Sequence, residues 1–144
     1  MDERPERCGD AEPDAGIVRA PARDIADRAD IAGVVEAFYR RAFADELLGP
    51  IFIDIARMDL PAHLPVMCDF WESALLRTGR YHGNALRPHL QLHAKAGLTP
   101  DHFRRWLALW SATVDDRHRG EKAELAKLQA TRIAGALSRR LLGH

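Results

Sequence analysis

From Asp30 onward, apolar residues recur every three or four positions, in blocks separated by glycine and proline. Ile31, Val34, Val35, Phe38, Ala42 and Phe43 mark one face of a first helix, with Asp30 placed to cap it. Tyr39 lies four residues from both Val35 and Phe43, so its ring borders the buried stripe while its hydroxyl needs a partner. Gly49-Pro50 ends the helix, and Ile51, Phe52 and Ile55 follow in a corner where apolar side chains plug a core. Asp59 or a residue just after it starts a second helix, with Pro61 tolerated in the first turn and Met67, Phe70, Trp71, Ala74 and Leu75 on its apolar face. A proline in a helix interior costs about 3 kcal/mol, so Pro65 predicts a late start or a bend, and His63 falls in or near the first turn.

Arg77 to Asn84 is a break, after which Leu86, His89, Leu90, Leu92 and His93 fit a helix of a few turns with both imidazoles on one face. Thr99-Pro100-Asp101 is a strong helix start, followed by a wide apolar face of Phe103, Trp106, Leu107, Leu109, Trp110, Thr113 and Val114. Gly120 precedes a last helix through Leu141, with Arg139 and Arg140 suiting its C-terminal dipole. No strand pattern and no repeat appears, so the class is all-α, with one domain over residues 30–144. Residues 1–29 carry mixed charges, three prolines and almost no large apolar side chains. They read as a mostly disordered N-terminal extension, with residues 24–29 able to add a short helical turn.

Composition narrows the function. Twenty-one basic residues balance 21 acidic ones, so no global field draws the chain to nucleic acid or an acidic membrane. No apolar run approaches the roughly 20 residues of a membrane span, and the N-terminus is acidic, which predicts a soluble cytoplasmic protein. Cys8 and Cys68 make no metal or redox pair by spacing, and Cys68 reads as a small core residue. GxGxxG, Walker, HExxH and CxxCH motifs are all missing. What stands out is Tyr39, His63, His89 and Trp106, polar residues set into the apolar faces of four different helices. If those helices surround one cavity, the four line it, as in a cofactor site. The plain alternative is a cofactor-free helical binding or scaffold domain whose polar core residues only specify packing. A zinc site on His89 and His93 lacks a third ligand.

Several spacings carry a resemblance. They are Phe38-Tyr39, Leu48-Gly49-Pro50-Ile51-Phe52, His63 ahead of Phe70-Trp71, Tyr81-x-Gly83-Asn84 before His89, and His102-Phe103-x-x-Trp106-Leu107-x-Leu109-Trp110. In this order they resemble the truncated haemoglobins, and within them the third group, over nearly all of Asp30 to Leu142. The resemblance implies a 2-over-2 helical sandwich holding haem b, with His89 as the iron ligand. It implies Tyr39, His63 and Trp106 on the distal, ligand-binding side, and Phe52 and Tyr81 among the residues against the haem. Oxygen, NO and CO are the implied ligands, with Tyr39 and Trp106 as hydrogen-bond donors to them. NO removal or peroxidase-like chemistry would need an external reductase, and a monomer is expected. The chain departs from the family pattern at Ala85, where many relatives carry proline, and in a slightly longer segment from His89 to Trp106. Counting back from Trp106 could select His93, which otherwise faces solvent or a propionate; Arg77 and Arg80 are further propionate candidates.

Overall fold

The computed structural model describes residues 22–55, 57–77, 89, 92–94 and 97–143. Their main elements are helices α1 (Arg28–Ala44), α2 (Leu60–Leu76), α3 (Pro100–Arg117) and α4 (Glu121–Leu142), plus a π-helical turn at Ile51–Ile55. Residues 89 and 92–94 are also helical, and no strand occurs among the described residues. Helix α1 packs on α2 and α3 packs on α4, while α1–α3 and α2–α4 contacts join the two pairs. The result is the expected all-α sandwich of two helices over two.

Helix α1 begins earlier than the Asp30 cap predicts. Asp27 is the cap, its carboxylate accepting from the Asp30 N–H at 3.0 Å. Asp30 serves the preceding chain instead, pairing with Arg23 at 2.6 and 2.8 Å and accepting the Ala26 N–H at 2.8 Å. Residues 22–27 therefore lie against the domain as a strap, with Ile25 only 4% exposed in the core. Residues 1–21, including Cys8, lie outside the described residues.

The strap also caps α4. Gly120 stands at the N-cap with φ 143°, a region that favours glycine, and it has no side chain to offer the first turn. Asp24 supplies the missing acceptor from a distance in sequence, bonding the Lys122 and Ala123 N–H groups at 2.9 Å each. A Cβ on Gly120 would lie 2.5 Å from the Asp24 carboxyl carbon, so the close approach needs glycine. The buried His118 imidazole and the Arg119 N–H both meet the Arg23 carbonyl, at 3.1 Å each.

Helix α2 runs from Leu60 through Pro65 as one helix, so the expected late start does not occur. Asp59 caps it through the Ala62 N–H. Pro65 forfeits a hydrogen bond to the Pro61 carbonyl, but both prolines are exposed and water can satisfy that carbonyl. Tertiary contacts hold the helix in place: Arg28 on α1 reaches Asp69 at 2.7 Å and the buried Glu72 at 2.9 Å. Helix α3 starts at Thr99-Pro100 as predicted, with His102 Nδ1 accepting the Thr99 N–H at 2.9 Å.

The core is built around Phe38, 2% exposed, whose ring meets Tyr39, Trp110 and Trp106 edge-on at 5.1, 5.4 and 6.0 Å. Trp110 in turn stacks on Trp71 at 4.4 Å and lies parallel to Trp106 at 6.4 Å. Its indole N–H donates to the Ala126 carbonyl at 3.2 Å. Ala123, Ala126, Ala130 and Ala134 form the buried face of α4, small enough to admit the bulky rings of α3. Cys68 is buried in this core, as expected, and burial pushes its thiol pKa up.

The carboxylate caps set the acid behaviour. Burial acts to raise the Asp24 pKa, but the N–H groups of Lys122, Ala123 and Ile25 together hold it below the usual carboxylate range. The same contest at Asp30 is won by Arg23 and the Ala26 N–H. A depressed folded pKa contributes stability above the unfolded value of about 4, and that stability is lost as pH falls through the folded value. Asp24→Ala should lower stability at pH 7 by about 1 kcal/mol, as for a lost helix cap. Its loss between pH 5 and pH 2 should be smaller than in the parent protein, as read by chemical denaturation at each pH.

Candidate functional site

The site is assembled from the polar end of the aromatic cluster. Tyr39 follows Phe38 on α1 and is 7% exposed. Its ring is held edge-on by Phe38, His63, Phe52 and Phe43, at 5.1, 5.4, 5.8 and 6.3 Å. Phe43 and Phe52 stack on one another at 5.7 Å, forming an apolar wall.

The corner that delivers Phe52 is built by Asp45. Its carboxylate accepts the N–H groups of Leu47 and Leu48 at 3.0 Å each and pairs with Arg105 on α3. The corner is thereby tied to the residue beside Trp106. Burial favours a raised Asp45 pKa, but those N–H donors and the guanidinium hold it below the ordinary carboxylate value. Gly49 passes so close to α1 that a Cβ there would lie 2.6 Å from the Phe43 carbonyl oxygen. Sequence reasoning saw the Gly-Pro break but missed the Asp45–Arg105 tie, because an ion pair 60 residues apart leaves no local signal.

The Tyr39 hydroxyl lies 3.0 Å from His63 Nε2. Burial raises the phenol pKa, so the proton stays on oxygen. The half-buried His63 has its pKa lowered, first by desolvation and then by the charge of His89. Both effects favour a neutral imidazole.

Two more polar atoms bear on the candidate residues. His93 Nδ1 is buried with no hydrogen-bond partner found for it, so at that atom the ring is not solvent-facing. Leaving such an atom unmet costs about 1–3 kcal/mol. Trp106 is half-buried against Phe38, and among the described residues no acceptor meets its indole N–H. Arg77 ends α2 in a left-handed conformation at φ 59° and is exposed. Tyr81 and Arg80 lie outside the described residues. The structure thus brings together Tyr39, Phe52 and His63 directly and joins Trp106 through Phe38. Among the described residues no three His, Cys, Asp or Glu side chains gather to hold a metal ion by themselves.

No family model matches the chain. Its sequence is similar to the group 3 truncated hemoglobin ctb of Campylobacter jejuni, 30% identical over 107 residues, or 72% of this chain and 82% of the relative. The fold is similar to the crystal structure of the group III truncated hemoglobin from Campylobacter jejuni, with a TM-score of 0.73 and 27% identity. That match covers 83% of this chain and 94% of the other. No helix among the described residues is long and apolar enough to cross a membrane.

The corner itself is testable. Gly49→Ala should push the 45–52 segment off the end of α1, at a cost of about 1–3 kcal/mol for an overpacked site. The loss should appear in urea unfolding, together with a change in near-ultraviolet circular dichroism from the displaced Phe52 and Tyr39 rings.

Proposed function

Since the chain belongs to the group 3 truncated haemoglobins, we propose that it holds haem b through His89 and takes up oxygen, NO or CO beside Tyr39, His63 and Trp106. The observation that carries this reading is the pairing of Tyr39 with His63 beside the stacked Phe43 and Phe52 rings. The residues fit the group. Phe43 and Phe52 offer an apolar wall, and His63 is held neutral. The buried Nδ1 of His93 lacks the partner that a cofactor-free core would be expected to provide. A scaffold domain with a fully satisfied core accounts less well for that atom.

Haem supplies an iron with an open coordination position for a diatomic ligand, and the capacity for electron transfer. His89 is the iron ligand in this reading because counting forward from Gly83-Asn84 in the family pattern selects it. His93, four residues on, would flank the bound group. Phe52 closes one wall of the pocket, and Tyr81 is assigned to the haem contact by sequence alone.

The two donors differ in readiness. The Trp106 indole N–H can only donate and meets no acceptor among the described residues. Tyr39 has a single proton, and its hydroxyl is already engaged with His63. Trp106 is therefore the donor immediately available to an arriving ligand, with Tyr39 joining by exchange. A donor aimed at partial negative charge in a dry pocket is worth about 1.5–3 kcal/mol. Such a site favours retention of oxygen over delivery. With an external reductase it suits oxygen-dependent NO removal, and the Tyr39–His63 pair could move protons in peroxidase-like chemistry.

His89→Gly should abolish normal haem affinity, measured by haem titration followed in the Soret band, whereas His93→Gly should retain it; the reverse result would move the iron to His93. Trp106→Phe should raise the oxygen dissociation rate by roughly tenfold to a hundredfold, measured by stopped-flow displacement with CO. An unchanged rate would remove Trp106 from the ligand site.

A further inference from the structure

We propose that Tyr39 is a latch on His63: its hydroxyl, 3.0 Å from Nε2, engages the lone pair with which His63 would otherwise compete for a haem iron held by His89. The inference rests on the haem reading above and adds a role for Tyr39 in the empty pocket, before any ligand arrives.

The direction of the hydrogen bond follows from accounting for both partners. A neutral imidazole has one N–H and one bare nitrogen. If Tyr39 donates, its proton and the bare Nε2 satisfy one another. The opposite direction would leave the phenol proton without an acceptor among the described residues, in a site 7% exposed. Burial keeps both groups in the forms this requires, a protonated phenol and an uncharged imidazole.

Tyr39 is also fixed well enough to act as a latch. Four aromatic rings meet it edge-on, so its hydroxyl has little room to swing. His63 is placed from the other side. Its N–H bonds the Asp59 carbonyl at 2.9 Å in the first turn of α2, and Arg28 fixes that helix through Asp69 and Glu72. With the backbone held, what remains free to His63 is rotation of its side chain, which the Tyr39 bond opposes. The need for a latch follows from the haem reading: His63 carries an imidazole that, like that of His89, can bind iron. A ligand that accepted the Tyr39 hydrogen bond would itself occupy the iron, so release of His63 would then do no harm.

A neutral hydrogen bond biases a two-state equilibrium by about twofold to tenfold. The test is the absorption and electron paramagnetic resonance spectrum of four haem-loaded full-length proteins at pH 8. These are the parent, Tyr39→Phe, His63→Leu and the double variant. The expected result is a low-spin, six-coordinate fraction that rises in Tyr39→Phe by about twofold to tenfold and returns to the parent level in the double variant. CO binding to Tyr39→Phe should gain a slow phase limited by His63 release, and that phase should vanish in the double variant. A Tyr39→Phe spectrum like the parent's overturns the latch. So does a low-spin signal that survives removal of His63, or a parent protein already coordinated by His63. If none of the four takes up haem, the haem reading fails and the latch with it; if all take it up and stay high-spin, the latch alone fails.

Discussion

The edge-on packing of the Phe38 ring against Tyr39, Trp106 and Trp110 is the contact on which the rest of the structure depends. One side chain of α1 thereby sets the position of both aromatic residues of α3 that point inward. Each such ring pair is worth about 0.5–1.5 kcal/mol beyond the area it buries. The geometry matters more than the sum. A positive ring edge laid on a negative face admits few orientations, so Tyr39 and Trp106 reach the site with their polar ends directed by the packing behind them. The parallel Trp71 and Trp110 rings extend the same constraint to α2.

Charged groups do their structural work at the ends of helices. Asp24 caps α4, Asp27 caps α1, Asp59 caps α2, and Asp45 holds the corner after α1 while binding Arg105. Three of these aspartates bond N–H groups of their own local segment, where the signal is short-range. Asp24 bonds the adjacent Ile25 N–H as well as the remote first turn of α4, and the strap that carries it converts what looks like tail into part of the domain. Because Asp24, Asp30 and Asp45 gain donors on folding, the fold draws stability from their ionised forms at neutral pH and gives it up in acid.

The pocket differs from the core in how its polar atoms are satisfied. In the core, the Trp110 indole N–H has a carbonyl and the buried Glu72 has a guanidinium. Two polar atoms depart from that matching: His93 Nδ1 is buried with no partner found for it, and the Trp106 N–H meets none among the described residues. An unmatched polar atom in the interior calls for an explanation. Membership of the group 3 truncated haemoglobins, a family of haem proteins, supplies one. The Tyr39–His63 bond pairs two other polar groups of the site.

The helices themselves were legible in the order of residues, because the three-to-four spacing of Ile31 to Phe43 and of Phe103 to Val114 is a local property of the chain. So were Thr99-Pro100 as a start and the failure of α1 in the stretch from Asp45 to Pro50. The partners of Tyr39 and Asp45 were not. That Tyr39 faces His63, that Arg105 holds Asp45, and that Asp24 caps a helix nearly 100 residues on all depend on contacts between segments remote in sequence. Periodicity tells which side of a helix is buried, since that needs only the 3.6-residue turn. Which atom on that side meets which other is decided only when the helices pack, because a hydrogen bond or ion pair is a matter of a few ångströms between elements whose spacing the local pattern does not contain.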